Sequence, residues 1–487
     1  MSPILLDFPP EIFKSIIRLL GLCDIFSLRL CSRRSVATKA SDHFKFYFRT
    51  KHIDITASSL EAFVNATQPG SLGCLIQHLV LVGVVNNTKQ LESILEPIYS
   101  SDGEAERGEE RQAKTQQGLE ILEQRQNEYE QLHESGTYII LLSEAFRNIA
   151  ANSKAGKLLS LSLEVIVYRQ DAKQRLHPLS GGSWKFIWQA AADTFHTTIR
   201  ALSATSLPIE KLNILNEQRL QRCSLACNQL GNIDFKEKGL ATSLAALKSL
   251  SISLSDRVIF TSRVDAERSH DPAEELDDDL FHELRDIEDI RAEMTAEANF
   301  IGITKLLQVC SQLEEFEMHD YRFCKATDPN RERQLERLLQ HAAELHTLPR
   351  LKRIELRGLW VREQDLLAFV RRTSVRRLFL DNIYMSSRTF RSLFDYCTSD
   401  AARLEKFYFR GLFEAANHGM LYFDGPGHSM YRPRFSVGAG PIDGDALERT
   451  GVEVKRPIKY HFASGYEVSS PTLLEWHRQR WREYGPP

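Results

Sequence analysis

The chain has 487 residues, 42% of them hydrophobic and 26% charged, with a formal net charge of -3. That length exceeds one compact core and implies about three domains or an elongated array. The near-balanced charge supplies no global field for nucleic acid or an anionic membrane, and no apolar run approaches the ~20 residues that span a bilayer.

The chain opens "MSPILLDFPP". This stretch has no basic start and no small-residue cleavage site, so no secretory leader is expected. Asp7 is placed to cap a helix with Pro9, Pro10 and Glu11 in its first turn. Apolar residues recur at 12, 13, 16, 17, 19 and 20, a helical period with a wide apolar face. Gly21 ends that helix. Asp24 is placed to cap a second one carrying Ile25, Phe26, Leu28 and Leu30, and a third short helix is expected toward Ala40. Two or three short helices in about 40 residues cannot bury such a surface among themselves. The segment is either a cap folded on the next domain or a docking module completed by a partner.

In its residues the segment resembles an F-box, the module that docks substrate receptors onto the Skp adaptor of cullin–RING ubiquitin ligases. The family pattern opens Leu-Pro-x-Glu-Leu/Ile, here Phe8-Pro9-Pro10-Glu11-Ile12. Ile16 and Ile17 match its apolar pair, Leu20 the end of its first helix, and Asp24-Ile25 the start of the next, followed by Leu28 and Leu30. The chain departs at Phe8, where leucine is usual. It departs again at Cys31-Ser32-Arg33-Arg34, where the family has Val-Cys-Arg and an aromatic. The resemblance implies that Phe8, Pro9, Ile12, Ile16, Ile17, Leu20, Ile25, Leu28 and Leu30 bind a Skp-type adaptor and, through it, cullin. It places this module within residues 1–50.

Beyond residue 50 a pattern apolar-x-x-apolar-x-apolar recurs. It is found at 52–56 in truncated form, then at 75–83, 158–167, 209–215, 247–253, 313–319, 351–358, 375–382 and 404–411. Helical patterns precede many of these runs, at 138–150, 183–202, 300–310, 331–345, 363–372 and 386–397. Helix and strand in alternation predict an α/β fold. A single doubly wound sheet is one form; an irregular leucine-rich-repeat-like solenoid over 51–412 is the other, and the one favoured here. The last three strand centres are 24 and 29 residues apart, within the leucine-rich period of roughly 20–29. The region resembles F-box proteins with irregular leucine-rich arrays, a type common in fungi.

Two inserts interrupt the array. Residues 101–135 are polar and have too few regularly spaced apolar residues to pack, so a solvated segment is expected. Residues 265–297 carry fourteen acids against three arginines, a local charge of -11 that leaves +8 for the remainder. Residues 413–487 read as Gly/Pro-rich loops ending in an amphipathic helix able to cap the array.

No catalytic constellation emerges. Eight cysteines are scattered, mostly in apolar segments, as reduced thiols in a cytoplasmic or nuclear protein. Cys223 and Cys227 lack a second ligand pair at zinc-finger spacing, and His341 and His346 are five apart rather than four. No phosphate-loop context or nucleophile elbow is present. Neither enzymatic activity nor a cofactor is expected. In leucine-rich strands the residues between apolar positions point away from the core. In the last three strands that set includes Arg353, Arg357, Arg377, Phe379, Lys406, Tyr408 and Arg410. Five basic residues against Glu355 and Asp381, with two aromatics, predict a surface for an acidic or phosphorylated protein substrate. Three other readings remain open. They are an F-box scaffold acting outside a ligase, a leucine-rich interaction protein whose first helices are only a cap, and an enzyme with a site built from loops.

Overall fold

The computed structural model describes residues 10–17, 19–31, 41–95, 105–169, 173–178, 184–217, 220, 223–255, 296–321, 336–414, 419–424 and 444–462. It is a mixed α/β fold with a small helical module at its N-terminus. Three short helices, α1 (Pro10–Ile17), α2 (Leu22–Cys31) and α3 (Ser41–Phe46), form the module. Phe13, Ile17 and Ile25 fill its interior, with Leu20, Leu28 and Phe44 packed around them.

The rest is built on a sheet whose strands follow chain order. These are β1 (Thr50–Asp54), β2 (His78–Asn86), β3 (Ser160–Tyr168), β4 (Lys211–Ile214), β6 (Ser249–Ser255) and β7 (Glu315–Tyr321). They continue with β8 (Arg353–Arg357), β10 (Arg377–Asp381) and β12 (Lys406–Arg410), and the short β5 (Leu225–Ala226) pairs beside β6. All these pairings are parallel. Each of the nine strand-like runs holds one of these strands. Parallel neighbours require a crossover, and helices supply most of them. They are α4 (Ala57–Ala66), α7 (Thr137–Asn152), α8 (Trp184–Thr205), α10 (Lys238–Leu244), α11 (Ala298–Val309), α12 (Arg337–Glu344), α13 (Glu363–Thr373) and α14 (Arg391–Thr398).

The sheet's period-two pattern decides which face is buried. Leu212, Ile214, Leu250, Ile252, Phe316, Met318, Ile354, Leu356, Leu378, Leu380, Phe407 and Phe409 are all buried in one core with the helices. The residues between them form a second, polar face.

Each of the last three repeats adds a second short strand. β9 (Trp360–Arg362), β11 (Tyr384–Ser387) and β13 (Phe413–Glu414) pair in parallel. The turn leading into each contains a residue with positive φ: Gly358 at 77°, Asn382 at 55° and Gly411 at 59°. Glycine enters this region freely and asparagine more readily than other side chains, so the sequence recurs as Arg-Gly, Asp-Asn and Arg-Gly. The register brings Trp360, Tyr384 and Phe413 into line, with ring centroids 5.1 and 5.5 Å apart.

Two expectations need revision. Residues 101–135 are largely helix, α6 (Ala105–Glu134), and its second half packs. Leu119 and Leu122 are buried with Leu91 of α5 (Lys89–Leu95), and the Tyr129 hydroxyl donates to Asp193 Oδ2 at 2.7 Å. Further along the helix Tyr129 and Leu132 pack, partly buried, against the main core, so a few apolar residues suffice. Residues 413–462 are not all loop. β14 (Gly419–Asp424) and β16 (Lys459–Phe462) extend the second sheet, and β15 (Ala446–Thr450) pairs antiparallel with β12 at the end of the main sheet. Residues 265–295 and the proposed C-terminal helix lie outside the described residues. Glu297, the last residue of that acidic run, pairs with Arg337 and His341.

Candidate functional site

The module has more apolar surface than its own core uses. On α1, Phe13 and Ile17 point inward and Ile16 is half-buried, as is Leu20 in the turn that follows, whereas Ile12 is 49% exposed. On α2, Ile25 is interior and Leu28 half-buried, whereas Phe26 is 53% and Leu30 65% exposed. Leu19 and Leu22 are exposed beside them. Single exposed leucines are ordinary, but five large apolar side chains on two adjoining helices and the turn between them are not. Among the residues expected to meet an adaptor, Ile17 and Ile25 therefore belong to the module's interior. Ile12 and Leu30 lie on its surface, and Phe8 and Pro9 lie outside the described residues. Leu19, Leu22 and Phe26 were missed as surface positions. The signal for them was an apolar count on α1 and α2 exceeding a single stripe.

Local geometry holds this surface in place. Asp24, the third residue of α2, accepts a hydrogen bond from the Gly21 N–H at 3.2 Å and satisfies an orphan donor at the helix start. The module is joined to the sheet without a free linker. The Tyr47 hydroxyl donates to the Leu20 carbonyl at 2.6 Å, and the Arg49 carbonyl accepts from Gln77 and His78, each at 2.8 Å.

The expected basic surface on β8, β10 and β12 has a different electrostatic character from that implied by its residue count. Every one of its cations is paired. Arg353 meets Glu355 at 2.5 Å, Arg377 meets Glu315 at 3.4 Å, and Lys406 meets Glu448 at 2.6 Å. Arg410 forks onto both carboxylate oxygens of Asp381. Arg357 is only 8% exposed. It donates to Asn216 and lies 3.6 Å from both Glu317 and Glu355. Asn216 donates to Ser251 at 2.8 Å, and Ser251 donates to Glu317 at 3.1 Å, so the network crosses β6, β7 and β8. Burial, then the neighbouring Glu317 carboxylate, pushes the Glu355 carboxyl up. Glu315, Glu317 and Glu448 stand on strands outside the three whose charges were counted, so the count missed them. Phe379 and Tyr408 are half-buried on this face, and the Phe379 ring lies between Arg353 and Lys406, 5.1 and 5.8 Å from its centre.

Three buried cysteines sit in the core as thiols. Burial pushes the Cys223 thiol up beyond the accessible range, and Cys310 and Cys397 up to about 12. Among the described residues no cluster of three or more potential metal ligands occurs, and no helix is long and apolar enough to cross a membrane.

Residues 5–46 match the F-box domain. The match coincides with the helical module, and an F-box domain implies binding to a Skp-type adaptor in ubiquitin ligases. No curated protein matches the chain.

Proposed function

We propose that this protein is a non-catalytic substrate receptor of a Skp–cullin–F-box ubiquitin ligase, working in the cytoplasm or nucleus without a cofactor. The observation that carries the reading is the exposed apolar set Ile12, Leu19, Leu22, Phe26 and Leu30 on a module matching the F-box domain. The sheet supports the second half of the reading. From β1 to β12 its strands succeed one another in chain order and in parallel, and its last repeats are 24 and 29 residues apart, as expected for a leucine-rich-repeat-like solenoid. Such an array presents one long polar face to a partner protein. The receptor does no bond chemistry; it holds a substrate lysine near a ubiquitin-charged enzyme, a proximity effect.

The test is co-expression of the full chain with a Skp-type adaptor. Ile12→Asp and Leu30→Asp are expected to abolish co-purification, because each buries an unpaired charge in the interface, while leaving the melting temperature unchanged. Adaptor binding by both variants at the wild-type level overturns the docking reading. Wild-type chain that retains the adaptor but never cullin is a scaffold rather than a ligase subunit.

A further inference from the structure

The two ends of the main sheet are finished differently. At one end β12 is covered by the antiparallel β15, whose buried Arg449 ties down the turn that follows it through the carbonyls of Arg456 and Pro457. At the other end β1 pairs with β2 alone. The hydrogen bonds show which of its main-chain groups are spent. The Arg49 carbonyl accepts from Gln77 and His78, and the Ile55 N–H donates to Val82, each at 2.8 Å. In a parallel pair, alternate residues turn their main-chain groups to the same neighbour. Residues 49, 51, 53 and 55 therefore face β2, and the N–H and C=O groups of Thr50 and His52 face the opposite way. Among the described residues no strand pairs with that side. Thr50, Lys51 and His52 are exposed, so the edge is open to solvent. An open edge without proline or bulge is a template for another chain.

The side chains around this edge select what can add to it. From Lys45 to Asp54 the sequence carries Lys45, Arg49 and Lys51, all exposed, and among the described residues none of them forms an ion pair. Asp54 is the one acid of the run, and Arg175 already holds it at 2.5 Å. Phe46 is 56% exposed beside them, with the Arg49 guanidinium 5.7 Å from its ring centre. This contrasts with β8, β10 and β12, where each cation is matched by an acid. A second copy of the chain is a poor occupant, because joining two β1 edges sets Arg49 and Lys51 of one against those of the other with no acid between. A strand carrying carboxylates meets the opposite condition. Its main chain supplies affinity through Thr50 and His52, its acids supply selection, and an apolar residue beside them covers Phe46.

We propose that the outer edge of β1 takes up an extended acidic segment of a partner protein as an added strand, hydrogen-bonded to Thr50 and His52 and charge-paired with Arg49 and Lys51. The inference goes beyond the receptor reading and does not rest on it. Thr50 is four residues beyond the last residue of α3, so the added strand lies next to the docking module, at the far end of the sheet from β12.

The experiment uses the full chain and an immobilised library of short peptides with glutamate at alternate positions and valine, threonine or alanine between. The controls are the same library with lysine for glutamate, the acidic library with proline at alternate positions, and a uridine oligonucleotide. The acidic library is expected to retain the chain about tenfold better than any control, with retention falling as salt rises. Arg49→Glu with Lys51→Glu is expected to lose about tenfold and to bind the lysine library instead. His52→Pro, which removes one outward N–H where an edge tolerates proline, is expected to weaken retention at unchanged melting temperature. In the wild-type chain, bound peptide is expected to slow amide exchange at Thr50 and His52 and to leave Ile53 unchanged, a readout that needs no variant to fold. Equal retention by the proline library reduces the site to charge alone and overturns the proposal. So do stronger retention by the oligonucleotide, a dimer of the chain that acidic peptide does not dissolve, and unaltered exchange at Thr50 and His52. Ile12→Asp is expected to bind peptide as the wild type does. Loss of peptide in that variant assigns the binding to the α1–α2 surface and overturns the proposal, whereas failure of the wild-type chain to bind adaptor sinks the ligase reading alone.

Discussion

The N-terminal module and the sheet use apolar residues in opposite ways. Across β1–β12 and its helices, nearly every large apolar side chain is interior, in one continuous core. Among the described residues of the module only Phe13, Ile17 and Ile25 are fully buried, while Ile12, Leu19, Leu22, Phe26 and Leu30 face out. The difference shows how a helix can carry two apolar faces at once, one for its own fold and one for a partner. Hydrophobicity alone does not tell the two apart; burial does.

Mutations that probe stability sharpen the comparison. The largest effect is expected in the sheet core. Phe407 is buried and stacks on Phe409 with centroids 4.6 Å apart, so Phe407→Ala should cost about 3–5 kcal/mol in denaturant unfolding. Arg357→Ala comes next. It strands Glu317 and Glu355 beside each other with their shared cation gone, and about 3 kcal/mol of destabilisation is expected by the same measurement. A loss below about 1 kcal/mol would return Arg357 to the set of free surface residues.

Leu122→Ala tests whether α6 belongs to the fold. Leu122 is fully buried, and a loss of about 2 kcal/mol is expected; no loss would make the helix an appendage. Smaller still is a pH effect at His196, which is held below the usual histidine range by burial against its hydrogen bond to Gln229. The unfolded chain therefore binds a proton that the folded one resists. This contribution to stability is fully present above the unfolded value of about 6.5 and is lost as pH falls from there toward the depressed folded value. His196→Gln should flatten that part of the stability–pH curve, read from melting temperatures between pH 7.5 and 5.5. In the module, Leu30→Ser should change stability by less than about 0.5 kcal/mol, because the side chain is already in water. A larger cost would mean that Leu30 supports the fold rather than a partner.

Much of this was readable from the chain. Period-two runs gave the strands of the main sheet up to β12 except the two-residue β5, since alternation reports a half-buried ladder whatever its neighbours are. The helical stripe from Trp184 onward gave α8 for the corresponding reason. The short strands β9, β11 and β13 were not readable. Two to four residues carry no period, and their pairing follows from positive-φ turns at Gly358, Asn382 and Gly411 that align successive repeats.

The site divides along the same line. Local spacing determined that residues 10–31 would form two short helices with surplus apolar surface, because helix geometry fixes neighbours at three and four residues. Only the tertiary structure decided that Ile17 and Ile25 go inward while Leu19, Leu22 and Phe26 go out, because that choice depends on where Phe44 packs. The sequence likewise determined that Arg353, Arg357, Arg377, Lys406 and Arg410 share a face. It did not determine their net charge, because Glu315, Glu317 and Glu448 reach them across strand boundaries from 40 to 62 residues away along the chain. Coulombic pairing acts through space, and sheet register, set by every crossover between, decides which charges meet.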